Sequence, residues 1–185
     1  ATPQGEPLYQ RLGFRAEYGL VRLHREHVGA LPGASSDEDG SIHCESPASH
    51  ALESIIQYDS EVFGASRPLI LTALRERAPH YAYAARRGRE SMGYVLGRPG
   101  TEYDQIGPLV ARDLDVARDL LRSALARSED RCVIVDVPSD REAWLAFLET
   151  LGFVRQRPFT RMALGSDRTF GRPGMQYAIA GPEVG

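Results

Sequence analysis

Ile106-Gly107-Pro108-Leu109-Val110-Ala111-Arg112-Asp113-Leu114-Asp115-Val116-Ala117 carries the chain from a strand into a helix. Residues 104–110 read as the strand. Leu114, Ala117, Leu121, Ala124 and Leu125 then recur at three and four residues, the period of a helix with one buried face. Asp113 and Asp115 fall in its first turn, where the positive end of the helix dipole favours carboxylates. The apolar run at residues 132–137 follows, and it reads as a buried strand.

Working outward, residues 81–85 and 92–96 read as two strands joined through Arg86-Arg87-Gly88-Arg89 into a hairpin. Before them, Leu52, Ile55, Ile56 and Phe63 have helical spacing, and Pro68 suits the first turn of a second helix carrying Leu69, Ile70, Leu71 and Leu74. After the buried strand, Ser139-Asp140-Arg141-Glu142 has the form of a capping box. It opens a helix whose stripe is Trp144, Phe147, Leu148 and Leu151. Residues 157–164 read as a strand and residues 175–180 as a last short one. Hairpin strands leading into strand-helix-strand-helix-strand predict an α/β fold, a mixed central sheet with helices on both faces.

Leu8-Tyr9-Gln10-Arg11-Leu12-Gly13-Phe14 repeats as Phe147-Leu148-Glu149-Thr150-Leu151-Gly152-Phe153, an offset of 139 residues. The match runs on without a gap, Leu20-Val21-Arg22-Leu23 falling opposite Phe159-Thr160-Arg161-Met162. Each copy reads as a helix stopped by glycine in the left-handed conformation, with the next Phe packed back on the last turn. A repeat of about 140 residues divides the chain into a helix and strand left from a first unit at 1–28, a flexible linker at 29–49 and a complete second unit at 50–185. The linker is rich in Gly, Ser, Ala, Asp and Glu and has no apolar period. Without a sheet of its own, the first strand is expected to pair with the edge of another molecule, as a homodimer, or to fray. Ala1-Thr2-Pro3-Gln4-Gly5 has no initiator Met, basic segment or apolar core, and is read as an internal cut rather than a secretory leader.

The 42% of apolar and 25% of charged residues are ordinary for a globular chain, and no run approaches the roughly 18 apolar residues that span a membrane. A net charge of −3, with arginines scattered among acids, disfavours nucleic-acid binding. Cys44 and Cys132 have no zinc-ligand spacing and suit a reducing, cytoplasmic setting; the five histidines share no helix face, so no metal site is expected. There is no Gly-x-Ser-x-Gly elbow and no glycine-rich dinucleotide loop after a strand, which weakens hydrolase and dehydrogenase readings.

The order of elements, the Ile106–Val110 strand before a helix and the Leu-Gly-Phe helix end together resemble the GNAT acyltransferases over residues 55–164. More narrowly, the chain resembles bacterial acetyltransferases built from two GNAT units. The resemblance implies the GNAT acyl-CoA fold, acetyl-CoA as co-substrate and the amine of a small molecule or peptide as acceptor. It implies a donor site on Leu109, Val110, Arg112, Asp115, Val116 and Ala117, where backbone amides at the helix start hold the pyrophosphate. Arg112 and Ala117 match the family's motif, while Asp115 stands where it has glycine. The family's general acid is a tyrosine four residues before the helix-ending glycine: Tyr9 holds that place in the first copy and Leu148 in the second. Glu61, Glu102, Asp104 and Asp136 are candidate bases, Asp136 standing out because it lies in an apolar strand. Tyr81, Tyr83, Tyr94 and Tyr103 would border an acceptor cleft. Two functions follow from the resemblance: acetyl transfer by the parent protein, or a non-catalytic GNAT-like unit that completes an acceptor pocket or stabilises a catalytic partner.

Overall fold

The apolar periods resolve into five helices and eight strands among residues 1–26, 43–45, 51–128, 131–165 and 171–183, which the computed structural model describes. In chain order they are α1 (Glu6–Arg11), β1 (Phe14–Arg25), β2 (His43–Glu45), α2 (Ala51–Phe63), α3 (Pro68–Arg77), β3 (Tyr83–Arg87), β4 (Glu90–Arg98) and β5 (Asp104–Ala111). After these come α4 (Leu114–Leu125), β6 (Val133–Pro138), α5 (Glu142–Thr150), β7 (Val154–Leu164) and β8 (Gln176–Ala178). They build one mixed sheet in the order β2-β3-β4-β5-β6-β1-β7, with β8 added on β5. Every pairing is antiparallel except β5 with β6.

Successive residues of the central strands point to opposite faces, and each face has its own core. On one side Met92, Val95, Leu109 and Ala111 pack with Leu120, Leu121, Leu125, Trp144 and Leu148 of α4 and α5. On the other, Leu96 and Val110 pack with Ile55, Val62, Leu71 and Leu74 of α2 and α3. All eight residues of β5 are buried, as a strand covered on both sides requires. In α4 the expected Ala117, Leu121, Ala124 and Leu125 are buried, joined by Val116 and Leu120, while Leu114 is only partly buried, and Asp113 caps the helix by accepting from the Val116 amide at 3.1 Å.

Three expectations are corrected. The first strand is neither frayed nor paired outside the chain: β1 lies between β6 and β7, so both its edges are used internally. Its apolar residues explain why: Leu23 is fully buried in the α4–α5 core, and Leu20 packs with Phe159 and Ile179. Residues 43–45, placed in the linker, form β2 and pair with β3; the rest of the linker lies outside the described residues. Ser139 does not cap α5. Its amide donates to the Gly19 carbonyl at 3.0 Å, and the helix starts at Glu142 with Arg141 as a cap residue whose side chain makes no capping bond.

Candidate functional site

The parallel contact of β5 with β6 is brief. Only Asp104 with Val133 and Gln105 with Ile134 are in register, and beyond them the strands part. This opening faces the start of α4 and is where the resemblance places a donor. Here it is filled from within the chain. β8 pairs with β5 at Leu109↔Ala178 and Val110↔Gln176, while the Ile179 amide donates to the Asp136 carbonyl of β6 at 2.9 Å. The segment therefore bridges both strands, and residues 176–180 are no more than 7% exposed. The Trp144 indole donates to the Tyr177 carbonyl at 2.9 Å. Gly107 permits the close approach, since at φ +151° a Cβ there would meet the Ile179 carbonyl oxygen at 2.1 Å.

The expected donor residues divide accordingly. Leu109 and Val110 are buried with β8 beside them. Val116 and Ala117 are fully buried, and their amides are bound by the Asp113 side chain and the Asp113 carbonyl, each at 3.1 Å. Asp115 is exposed and pairs with Arg118 at 2.9 Å. Arg112 reaches back to Glu90 at 3.1 Å. The first turn of α4 thus presents two carboxylates beside a capped helix end, a poor seat for pyrophosphate.

Asp136 is fully buried, as its place in an apolar strand suggested, but it is not free. Arg22 of β1 donates Nε to Oδ1 at 2.7 Å and Nη2 to Oδ2 at 2.8 Å, and Gln105 donates to Oδ2 at 3.0 Å. The carboxylate and burial act oppositely on Arg22, and its hydrogen bonds to Asp136 prevail, raising its pKa above the ordinary value. The chain of contacts continues through Arg98, which donates to Gln105 at 2.7 Å and pairs with Glu183 of the C-terminal segment. Arg22, Gln105, Arg98 and Glu183 carry no local motif that would have marked them.

Tyr9 lies elsewhere. It stands on α1, 41% exposed, with its ring edge-on to Phe14 at 5.4 Å. Phe14 and Arg22 are eight residues apart on β1, about 26 Å, so Tyr9 and Asp136 are not brought together. Leu148, at the equivalent place in the second copy, is fully buried core. Of the other carboxylates, Glu61 and Glu102 are exposed. Asp104 is bound by Tyr81 at 2.7 Å, Arg131 at 2.8 Å and the Gly100 amide at 3.1 Å.

Two of the four tyrosines expected beside an acceptor cleft are engaged inside the fold. Tyr81 is consumed by Asp104, and Tyr94, fully buried, donates to Asp59, itself held by Arg67 at 2.8 Å and 2.9 Å. The space between α2 and β3–β4, lined by Ser54, Tyr58, Arg86 and Ser91, encloses about 10 Å³, room for one water. Among the described residues no group of three or more potential metal ligands converges. No described helix is long and apolar enough to cross a membrane.

The acetyltransferase (GNAT) domain model matches residues 55–178. Three solved structures share the fold. One is a Pyrococcus horikoshii protein assigned to the acetyltransferases, 24% identical over 100% of this chain and 58% of its own, with a TM-score of 0.70. Another is a GCN5-related N-acetyltransferase of Sphaerobacter thermophilus, 18% identical over 87% and 56%, with a TM-score of 0.64. The third is a GCN5-related N-acetyltransferase of Anabaena variabilis, 15% identical over 87% and 44%, with a TM-score of 0.51. The chain spans less than three fifths of each. No protein with a curated description matches the sequence.

Proposed function

The chain belongs to the GNAT acetyltransferase family, and on that premise we propose that the protein it serves transfers an acetyl group from acetyl-CoA to the amine of a small molecule or peptide, while this unit holds neither donor nor chemistry. The observation that carries the second half is the seating of residues 176–180 between β5 and β6. A donor laid along Leu109 and Val110 would have to displace a strand that is hydrogen-bonded on both sides.

The side chains support the same reading. A general base needs an accessible lone pair, but both oxygens of Asp136 accept from Arg22. A general acid needs a proton, which Leu148 cannot give. An anion seat needs open amides without nearby negative charge, whereas the Val116 amide is occupied by one carboxylate and Asp115 adds another. Acetyl-CoA does not fit the residues present. Tyr9, exposed on α1, remains available as a general acid to a neighbouring unit.

Calorimetric titration of the chain with acetyl-CoA tests this directly, with Asp115→Gly as the second arm. No heat of binding is expected from the unmodified chain. Micromolar affinity there would overturn the reading and return the β5–β6 opening to the role of a working donor site. Binding that appears only in the glycine variant would assign the defect to the helix start, not to the filled opening.

A further inference from the structure

Among the described residues two arginines are buried to the same degree, and they differ in what they hold. Arg67 and Arg25 are each 8% exposed. Arg67 is bound to both oxygens of Asp59, at 2.8 Å and 2.9 Å. Arg25 forms no ion pair with a described residue, and its Nη1 is shut from solvent without a hydrogen-bond partner. Burial lowers its pKa, and no neighbouring carboxylate opposes the shift. A charged donor buried without an acceptor is costly, and folded proteins keep few of them.

The Arg25 side chain runs against the end of α5 without capping it. Arg25 follows Leu23 by two residues and so turns to the same face of β1, toward α5. A Cβ on Gly152 would stand 3.8 Å from Arg25 Nε. The last carbonyls of α5 are already served. Thr150 Oγ1 donates to Phe147 O at 2.6 Å, the Phe153 amide to Leu148 O at 3.1 Å and the Gly152 amide to Glu149 O at 3.0 Å. A helix end closed by its own amides leaves the cation to another acceptor.

There is room for one. Arg25, His24, Glu26, Leu151, Gly152 and Val154 line a cavity of about 420 Å³, within the range of small-ligand sites. His24 brings a second buried polar atom without a partner, Nδ1, while its Nε2 stands 3.9 Å from the exposed Glu26 carboxylate. Leu151, Gly152 and Val154 make the rest of the wall apolar. Arg25 pairs with Val133 at the start of β6, and Val133 with Asp104 at the start of β5. Leu109 lies five residues further along β5, so the cavity is about 17 Å from the expected donor slot, at the other end of the strand.

We propose that this cavity binds a small monocarboxylate with an alkyl or aryl body, its carboxylate on the Arg25 guanidinium and its apolar part on Leu151 and Val154. The planar guanidinium matches a carboxylate through two parallel N–H donors, and a turn of the group within the cavity wall presents Nη1 to the ligand. The surroundings select a single charge. Glu26 stands on the rim and α5 ends there with the negative end of its dipole, so a phosphate dianion is repelled more strongly than a monoanion.

Titration of the isotope-labelled chain with benzoate, and separately with inorganic phosphate at the same ionic strength, tests this by the shifts of the Gly152 and Val154 amides. Benzoate is expected to saturate both, and phosphate to leave them in place. Arg25→Met should weaken benzoate at least about tenfold, as the loss of a hydrogen-bonded charge requires. Without benzoate its melting midpoint should equal or exceed the parent's, because a stranded cation has gone. Glu26→Gln, at an exposed position, should tighten benzoate about twofold by removing the rim charge. An Arg25→Met chain that melts below the parent without benzoate would make the guanidinium a structural group and overturn the proposal. So would benzoate affinity unchanged in either variant, phosphate binding as tight as benzoate, or amides that benzoate does not move.

Discussion

Replacing Arg22 by Met separates a docked β1 from a merely adjacent one. The guanidinium makes two short bonds, 2.7 Å and 2.8 Å, to a carboxylate with no solvent exposure, and its own side chain is 13% exposed. Met keeps most of the stem volume but leaves Asp136 buried with only Gln105, at 3.0 Å, to serve it. Removing one partner of a buried pair costs about 3–5 kcal/mol. For a domain of this size that is a fall of roughly 10 °C in melting midpoint, or roughly 1.5–2.5 M in urea. Urea unfolding followed by circular dichroism and by the fluorescence of Trp144, the only tryptophan, reads the change. Arg22→Met combined with Asp136→Leu should recover to within about 1 kcal/mol of the parent, since the stranded charge has gone. A single variant within about 1 kcal/mol of the parent would mean that β1 is not held in the sheet. A double variant no better than the single one would mean that the loss is packing, not charge.

Two further outcomes follow from burial and charge. Burial acts to raise the pKa of Asp104, but its hydrogen bonds from Arg131, Tyr81 and the Gly100 amide prevail and hold it below the usual carboxylate value. A depressed acid contributes stability that is complete above its unfolded pKa near 4 and is lost as pH falls through the lower folded value. Asp104→Asn should therefore flatten the acid limb of stability below about pH 4, and an unchanged limb would dismiss the role. Burial pushes the Cys44 thiol up to about 11. At pH 8 iodoacetamide should modify Cys132 first and reach Cys44 mainly after unfolding, as peptide mapping would show; equal labelling of the folded chain would contradict the seat of Cys44 against β3.

The elements were legible because each rests on local physics. The α4 stripe shows in the spacing of Leu121, Ala124 and Leu125, and the helix stop shows in Gly152 before Phe153. What was not legible is pairing. A strand's period says which residues are buried, not which strand it meets, so the seat of β1 between β6 and β7 could not be read from Leu20 and Leu23. His43-Cys44-Glu45 is too short and too polar for a period and was lost in its surroundings. Ser139 has the chemistry of a cap, but its backbone was already engaged by Gly19, a residue 120 positions away.

The candidate site shows the same division more sharply. A carboxylate in an apolar strand was a sound signal of burial for Asp136, but burial alone does not distinguish a tuned base from one half of an ion pair. The answer lies in Arg22, 114 residues distant, and in the C-terminal segment, whose strand-like composition marks a strand but not the two strands it meets. Together they decide the chemistry. For Asp136 to accept a proton from an amine, Arg22 would have to release an oxygen, and around that pair stand the Ile179 amide on the backbone carbonyl of the same residue and Glu183 on Arg98. Each of these groups pins a different element: β1, the segment beyond β8, and the C-terminal turn. The carboxylate that most resembles a catalytic base is therefore committed to β1 through Arg22 and to β5 through Gln105, and any change that freed it for catalysis would also loosen the sheet.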